Sequence, residues 1–235
     1  PSCPGTRCRW QLDAMIVQRP SQWPILFDLM IDILDHFQQA NNFKPSWSFG
    51  GGTALMLTID HRESHDIDIF LDDAQVLPYL NPETQGYALL QRPDSYQTDG
   101  TRALKLAYQD IGEIDFICCS SILDDPFERR DVRGWIVALE ILAEIIAKKV
   151  YFRGSSFQPR DMFDLAAVTE HYGYDYAVSA LRQCGTDRCA AALGVIEKAT
   201  PAFVQSIIGQ LMYRENHDHL VTEAQGISRQ LLQLT

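Results

Sequence analysis

The sequence predicts an α+β fold, in which a mixed β-sheet with flanking helices precedes an all-helical C-terminal part. Two patterns lead to this prediction. Between residues 47 and 118, several short segments alternate polar and apolar residues, as half-buried strands do. From residue 136 onward, apolar residues recur every three or four positions, which is the spacing along one face of a helix. We therefore expect an irregular segment at 1–22, an α/β domain at 23–134 and a helical domain at 135–235.

The first part of the chain contains one clear helical pattern and four candidate strands. Ile25, Leu29 and Ile33 belong to an apolar face that predicts a helix at 23–39. Glycines after the first strand indicate a turn that leads into a second helix. A turn near Gly112 predicts that the last two strands form a hairpin. The predicted strands are 47–49, 66–70, 103–108 and 113–118.

The second part of the chain has helical patterns throughout. One of them has Pro159 near its start and Gly173 just past its end, which are the positions that these residues favour at helix termini. The predicted helices are 136–152, 159–172, 174–183, 187–198, 200–214 and 222–233.

The composition fits a folded protein of one large or two small domains. The chain has 235 residues, of which 46% are hydrophobic, enough for a core. Its net charge of −11 argues against binding of duplex nucleic acid over a broad surface, which needs many cations. The longest apolar stretch, Trp135 to Ala147, is too short and too charged to span a membrane. Six cysteines without a C-x-x-C spacing indicate reduced thiols in a cytoplasmic protein.

Two aspartates lie two positions apart on the predicted strand at 66–70. Because successive side chains alternate along a strand, Asp66 and Asp68 project from the same face. Neighbouring carboxylates repel each other unless a cation lies between them, and oxygen ligands of this kind suit Mg²⁺ or Mn²⁺. Asp115 repeats the pattern on a later strand. If the two strands are neighbours, three carboxylates converge, as in sites that use two metal ions for phosphoryl transfer.

A glycine-rich turn precedes these aspartates, at a predicted helix start. The free backbone N–H groups of Gly51, Gly52 and Thr53, together with the positive end of the helix, would attract a phosphate group. Each feature alone has an ordinary explanation, because most glycine clusters are turns and paired aspartates are common on strands. Together and in this order, they indicate a metal-bound nucleoside triphosphate.

These motifs resemble those of the nucleotidyltransferase AbiEii/AbiGii toxin family. The resemblance implies the nucleotidyltransferase fold of DNA polymerase beta, and it extends over roughly residues 47–168. The matching segments are Gly51-Gly52-Thr53-Ala54-Leu55, Arg62-x-Ser64-x-Asp66-x-Asp68, Glu144-x-x-Ala147-x-Lys149 and Arg160-Asp161-x-x-Asp164-Leu165.

The resemblance also implies roles for individual residues. Asp66 and Asp68 would be metal ligands, and Asp115 would be the third carboxylate and a candidate base. Ser64 would donate a hydrogen bond to a phosphate, and Lys149 would neutralise triphosphate charge. The implied nucleotide-binding residues are Gly51, Gly52, Thr53, Ser64, Lys149 and Asp161.

Five charged residues leave alternatives open. Lys149 follows Lys148, and helical phase predicts that only one of the two faces the cleft. Asp161 and Asp164 share one helix face, which fits either a nucleotide contact or a salt-bridge network with Lys149. Lys105 lies on the strand between the other alternating strands, where it could either reach the cleft or be exposed, and we favour exposure.

We interpret the chain as an enzyme, a Mg²⁺- or Mn²⁺-dependent nucleotidyltransferase that moves a nucleoside monophosphate from a nucleoside triphosphate to an acceptor hydroxyl. The resemblance implies a toxin of a toxin–antitoxin or phage-defence system, with RNA such as tRNA as acceptor and an antitoxin as partner. Two alternatives stay open: a noncatalytic, nucleotide-binding module that binds an antitoxin, and a small-molecule nucleotidyltransferase of the antibiotic-modifying kind. An acidic cleft would favour a drug acceptor, whereas a cationic strip beside the metal site would favour RNA.

Overall fold

A computed structural model of the chain describes residues 19–235. It confirms the predicted α+β fold and forms a mixed sheet of seven strands. The segment predicted to be irregular, 1–22, lies outside the described residues apart from its last four positions. The strands are β1 (Trp47–Gly50), β2 (Ile67–Leu71), β3 (Ser95–Thr98), β4 (Ala103–Tyr108), β5 (Gly112–Cys118), β6 (Phe127–Val132) and β7 (Trp135–Glu140).

The strand order brings the candidate site residues side by side. The sheet runs β3-β4-β5-β2-β1-β7-β6, and the β2–β5 and β1–β7 pairs are parallel. In this register Asp68 on β2 lies opposite Asp115 on β5 and, on its other side, opposite Gly50 on β1. The predicted hairpin is confirmed, because β4 and β5 are antiparallel and are joined by a short turn.

The helices flank the sheet and then form the C-terminal part of the chain. Helix α5 packs against α4, α6, α8 and α9, so it lies at the centre of that part. Among residues 19–235, none of the helices is both long enough and apolar enough to cross a membrane. The helices are α1 (Trp23–Asn41), α2 (Gly51–Ile59), α3 (Pro82–Gln85), α4 (Leu142–Lys148), α5 (Pro159–Tyr172), α6 (Tyr174–Arg182), α7 (Thr186–Lys198), α8 (Pro201–Ile208) and α9 (Leu220–Gln233).

The predicted start of the helical part is wrong by several residues. Residues 135–140, which include the predicted beginning of a helix at 136, form strand β7 and pair with β6 and β1. The β6–β7 turn is Arg133-Gly134, and both residues have the positive φ that a two-residue hairpin turn requires. Strand β7 buries Val137 and Leu139 in the core. Helix therefore begins at Leu142, while the division of the chain into domains stays a prediction.

The two faces of the sheet have different environments. Ile67 and Ile69 on β2 are completely buried, and α1 packs near β2 and β5. Phe49 on β1 belongs to the same side, since its ring lies 5.8 Å from that of Phe27 on α1. Asp68 alternates with the two isoleucines, so it projects from the opposite face. That opposite face carries the candidate site.

A backbone connection ties the aspartate strand to the last helices. The N–H of Glu63 donates to the carbonyl of Met212 at 2.9 Å, and the N–H of Arg214 donates to the carbonyl of His61 at 2.9 Å. The segment just before β2 is thereby held against the chain that connects α8 and α9. This contact fixes where the aspartate strand enters the sheet.

Candidate nucleotide-binding site

Two adjoining clefts lie on the carboxylate side of the sheet. The larger cleft has a volume of about 720 Å³, and its lining includes Gly51, Phe152 and Arg188. The smaller cleft has a volume of about 480 Å³, and its lining includes Ser64 and Asp115. Four residues line both clefts, so the two spaces meet there. The shared residues are Gly52, Asp68, Lys149 and Arg153.

The three carboxylates that the sequence singled out lie together in the smaller cleft. Asp68 and Asp115 are register partners on the parallel strands β2 and β5. Asp66 immediately precedes β2, and its Oδ1 accepts a hydrogen bond from the backbone N–H of Glu113 at 3.0 Å. All three aspartates line this cleft. The two strands are therefore neighbours, which is the condition under which the sequence predicts that the three carboxylates converge.

Burial and repulsion from neighbouring carboxylates make Asp66 and Asp115 harder to ionise. Burial, together with the charges of Glu113 and Asp68, raises the pKa of Asp66. Burial and the charge of Asp68 raise the pKa of Asp115 to about 6, although Lys105 pulls it in the opposite direction. The Nζ atom of Lys105 lies 2.9 Å from Oδ2 of Asp115 and also contacts Glu113. A bound cation would favour the ionised form of both aspartates.

The donor set fits a hard divalent cation such as Mg²⁺ or Mn²⁺. Such ions prefer carboxylate oxygens and use substrate phosphates to complete their coordination. Within residues 19–235, no three Asp, Glu, His or Cys side chains are arranged to surround an ion by themselves. Asp66 and Asp68 would thus supply the protein ligands together with phosphate oxygens. Asp115, which Lys105 contacts, is the third candidate ligand.

The glycine-rich turn lies directly against Asp68. Strand β1 ends at Gly50 and α2 begins at Gly51, so the first N–H groups of α2 have no partners within the helix. Gly51 has a φ of +68°, and a Cβ atom there would lie 1.8 Å from Oδ2 of Asp68. A Cβ atom on Gly52 would lie 2.8 Å from Oγ of Ser64. The absence of side chains therefore lets the helix start approach both groups closely.

Thr53 and Ser64 are the two predicted nucleotide-binding residues that carry a hydroxyl group, and their surroundings differ. Thr53 is completely buried, and its hydroxyl donates to the backbone carbonyl of Asp66. This bond ties the first turn of α2 to the aspartate strand, so a phosphate contact of Thr53 would come from its backbone N–H. Ser64 lines the smaller cleft beside Gly52.

A buried cluster of charges joins this site to the helical part. Asp164 is completely buried and accepts hydrogen bonds from Nε and Nη2 of Arg62 at 2.7 and 2.9 Å. Nζ of Lys149 lies 2.9 Å from Oδ2 of Asp164 and 2.8 Å from Oδ1 of Asp161. Burial alone would raise the pKa of Asp164, but Arg62 and Lys149 hold it well below its usual value. The salt-bridge network of Lys149 with Asp161 and Asp164, one of the two alternatives that the sequence left open, is present. Lys149 also lines both clefts.

Both members of the lysine pair line the larger cleft, so the expectation that only one would face it is wrong. Helix α4 ends at Lys148, and a π-helical turn, Lys149–Arg153, follows at once. Nζ of Lys148 lies 2.6 Å from Oε1 of the buried Glu140 and 3.8 Å from the centre of the Phe70 ring. Nζ of Lys149 instead contacts the carboxylates of Asp161 and Asp164 on α5. Turns of this kind inside helices are frequent at functional sites.

The π-helical turn also places aromatic side chains at the larger cleft. Phe152 is 50% exposed and packs edge-on against Tyr151, with 4.9 Å between ring centroids. The guanidinium of Arg188 lies 4.9 Å from the centroid of the Tyr151 ring. All three residues line this cleft. An exposed ring beside cationic groups suits a nucleobase, which proteins bind by stacking.

Sequence reasoning favoured exposure over a cleft position for Lys105, which is partly exposed and lines the smaller cleft, and it did not identify Phe152, Arg153 or Arg188. Lys105 is the register partner of Asp115 in the β4–β5 hairpin, and it lines the smaller cleft. A hairpin that turns near residue 110 places 105 opposite 115, so the alternation pattern contained this signal. The other three residues lie on the π-helical turn and on α7, and no local pattern in the sequence indicates that they meet the sheet.

Comparisons with known proteins agree with these observations. A family model described as "Nucleotidyl transferase AbiEii toxin, Type IV TA system" matches residues 32–231. A search of curated proteins finds no match. Among solved structures, the chain is similar to MenT4, a nucleotidyltransferase toxin of Mycobacterium tuberculosis. The identity is 17%, the TM-score is 0.50, and the alignment covers 89% of this chain and 82% of MenT4.

Two further solved structures are more distant in shape. One is a candidate nucleotidyltransferase from H. pylori, with 18% identity, a TM-score of 0.48 and coverage of 92% of this chain and 95% of the other. The second is the antibiotic-resistance factor ANT(2″)-Ia, with 13% identity, a TM-score of 0.37 and coverage of 74% and 93%. MenT4 shows the shared fold, and the family match spans most of the sequence. The chain therefore belongs to the AbiEii family of nucleotidyltransferase toxins.

Proposed function

We propose that the chain is a Mg²⁺- or Mn²⁺-dependent nucleotidyltransferase that transfers a nucleoside monophosphate from a nucleoside triphosphate to a hydroxyl group of RNA. One observation carries the proposal. Asp66, Asp68 and Asp115 converge in one cleft, and the start of α2 at Gly51 and Gly52 adjoins it. Phosphate and metal ligands are thereby combined at a single place, which is what a metal–triphosphate complex requires.

The reaction would be an in-line displacement at the α-phosphorus. The acceptor oxygen forms a bond to that phosphorus, the bond between the α-phosphorus and the bridging oxygen breaks, and pyrophosphate leaves. Asp115 is the candidate group to receive the hydroxyl proton, since it lines the same cleft as Asp68. The divalent cation, when bound, would neutralise the charge of the phosphates and the leaving group. The protein otherwise contributes position and electrostatic stabilisation.

The two clefts suggest where each part of the substrates binds. The triphosphate would lie at the shared residues, with the N–H groups of Gly51, Gly52 and Thr53 and with Lys149 nearby. Ser64 would donate to a phosphate oxygen from the smaller cleft, and Asp161 would hold Lys149 in place through its 2.8 Å contact. The nucleoside would extend along the larger cleft towards Phe152.

The distribution of charge favours RNA as the acceptor. The chain has a net charge of −11, yet nine of its 20 lysine and arginine residues line the two clefts. Five of the nine are paired with carboxylates, and the other four make no salt bridge within the described residues. These four, Arg19, Arg102, Arg160 and Arg188, would attract a phosphate backbone even when the rest of the surface is acidic. A tRNA end is one such acceptor, and we place the reaction in the cytoplasm with an antitoxin protein as regulator. The nine residues are Arg19, Arg62, Arg102, Lys105, Lys148, Lys149, Arg153, Arg160 and Arg188.

The experiment is a transfer assay with total RNA. The protein is incubated with Mg²⁺, RNA and each α-labelled triphosphate in turn, beside an Asp66→Ala/Asp68→Ala variant. Label that enters one RNA class with the unmodified protein alone would support the proposal and identify the acceptor. Triphosphate binding without transfer to RNA would favour a small-molecule acceptor, which the acidic residues of the smaller cleft would suit. Neither binding nor transfer would leave a noncatalytic module that binds an antitoxin.

A further inference from the structure

Lys105 reaches the metal side of the candidate site from a neighbouring strand. Its Nζ atom lies 2.9 Å from Oδ2 of Asp115 and also contacts Glu113. The two residues are directly opposite each other in the β4–β5 hairpin, so the backbone fixes the contact. The side chain of Lys105 is 34% exposed, and it lines the same cleft as the three aspartates.

The contact completes a row of groups across four adjacent strands. Lys105 on β4 is opposite Asp115 on β5, which is opposite Asp68 on β2, which is opposite Gly50 on β1. Side chains at register partners project from the same face of a sheet. The ammonium group of Lys105 therefore lies beside Asp115, the carboxylate that Asp66 and Asp68 would need as the third ligand of a metal site.

The charges that line the smaller cleft indicate a function for the ammonium group of Lys105. Five carboxylates line the smaller cleft, and Lys105 contacts two of them, Glu113 and Asp115; the other three are Glu63, Asp66 and Asp68. A positive group next to Asp115 repels a second divalent cation, while Asp66 and Asp68 have no lysine or arginine in ion-pair contact within the described residues. A dication would accordingly bind at the aspartate pair of β2 first.

We propose that Lys105 takes the place of a second divalent cation at Asp115, so that the nucleotide-free site binds one such ion, on Asp66 and Asp68. This inference rests on the proposed function, because it assumes that the aspartates bind a metal. The lysine sets the number and the affinity of the ions. It is a positioning residue, and it acts through Asp115.

An ordinary cross-strand ion pair is the competing explanation, and it makes a different prediction. Replacing one partner of a partly exposed pair changes stability little and leaves the metal affinity of the neighbouring groups unaltered. Replacing a lysine that excludes a cation, in contrast, leaves Asp115 available to an ion. The number of bound ions therefore distinguishes the two explanations without any measurement of activity.

The test is a titration of the metal-free, full-length chain with Mn²⁺, in which electron paramagnetic resonance counts the free ion. We expect one bound Mn²⁺ for the unmodified protein. For Lys105→Met we expect a second ion and an affinity that is higher by about tenfold. Lys105→Arg, which keeps the charge, should match the unmodified protein. Lys198→Met, which removes an exposed lysine on α7, controls for net charge.

Three further outcomes would contradict either this inference or the metal site of the proposed function. Equal ion number and affinity for Lys105→Met and the unmodified protein would overturn the inference. The gain from Lys105→Met should disappear in an Asp115→Asn background, and persistence of the gain would also overturn it. If Asp66→Ala/Asp68→Ala binds Mn²⁺ as well as the unmodified protein does, the metal site of the proposed function fails instead. Circular dichroism confirms folding, and Lys105→Gln replaces Lys105→Met should the latter not fold.

Discussion

Arg62 and Asp164 form a buried, two-point ion pair that joins the aspartate strand to the helical part of the chain. Nε and Nη2 of Arg62 donate to the two oxygens of Asp164 at 2.7 and 2.9 Å, across 102 residues of sequence. His61 and Lys149 contact the same carboxylate. Arg62 lies in the sequence motif that contains Asp66 and Asp68, and Asp164 lies in the motif that contains Asp161. The pair therefore holds the two halves of the site in a fixed relation.

Asp164→Asn should destabilise the protein strongly. The substitution leaves the buried guanidinium of Arg62 beside a neutral amide, although Lys149 keeps its contact with Asp161, and breaking a buried ion pair in this way costs about 3–5 kcal/mol. Unfolding in urea would measure the loss of free energy. Asp28 and Arg133 supply a matched control, because they form a similar two-point pair on the surface, at 3.0 and 2.7 Å.

Asp28→Asn should change the free energy of unfolding by only about 0–1 kcal/mol, because water screens this exposed pair. Equal losses for the two variants would contradict the view that burial gives the Arg62–Asp164 pair its importance. A small loss for Asp164→Asn alone would contradict it as well.

Asp115→Asn should stabilise the metal-free protein at neutral pH. The folded-state pKa of Asp115 is raised to about 6, chiefly by burial, so ionisation costs folding free energy as the pH rises from the unfolded value of 3.8 through 6. Replacing the carboxyl group removes a penalty of about 2–3 kcal/mol at pH 7.5. The difference should fall to about 1 kcal/mol at pH 4.5, where the folded carboxyl is protonated.

Urea unfolding in the presence of EDTA, at both pH values, would measure this difference. Addition of Mn²⁺ should stabilise both proteins to a similar extent and leave the order of stability at pH 7.5 unchanged, because the nucleotide-free site binds the ion on Asp66 and Asp68, which both proteins keep. A variant that is less stable than the unmodified protein at pH 7.5 without metal would refute the argument from burial and repulsion.

Gly51→Ala should abolish triphosphate binding, whereas Gly86→Ala should not. Both glycines have a similar positive φ, +68° and +67°, so the backbone strain of an alanine is similar at the two positions. A Cβ atom at residue 51 would collide with Asp68, while at residue 86 no atom lies within 4 Å. We expect a cost in stability of about 1 kcal/mol for Gly86→Ala. Equilibrium dialysis with a labelled triphosphate checks binding, and retained binding by Gly51→Ala would argue against a phosphate site at this turn.

Phe152→Ala should weaken the binding of nucleoside triphosphates by about tenfold without affecting inorganic tripolyphosphate. The reason is that a stacked base contributes about 1–3 kcal/mol, and tripolyphosphate has no base. Isothermal titration calorimetry with both ligands would show the difference. Phe203→Ala serves as control, since Phe203 is similarly exposed, at 53%, on α8. An equal effect of Phe152→Ala on both ligands would place the base elsewhere.

The sequence predicted the aspartate site because its parts have short, local signals. Alternation around Asp68 and Asp115 shows which side chains share a face, and the glycine turn marks the start of a helix. Strand alternation also predicted the β4–β5 hairpin. Here the local preference of the chain and the packing of the sheet agree, and these strands and the hairpin were predicted correctly for that reason.

The errors arose where tertiary packing decides the structure. The apolar residues around Val137 fit a helix as well as a strand, and pairing with β1 and β6 selects the strand. The π-helical turn after Lys148 depends on contacts with α5 and α7, so regular helical spacing could not show that both lysines reach a cleft. The position of Phe152 follows from the same turn.

Nucleotidyl transfer, the central proposal, is tested most directly by comparing α- and γ-labelled triphosphate in the same reaction with RNA and Mg²⁺. We predict that the α label enters RNA while the γ label is released as pyrophosphate, and that Asp66→Ala/Asp68→Ala gives neither product. Incorporation of the γ label would mean phosphoryl transfer and would contradict the proposed chemistry. Equal incorporation of the α label by the variant would contradict the assignment of the aspartates as the catalytic centre.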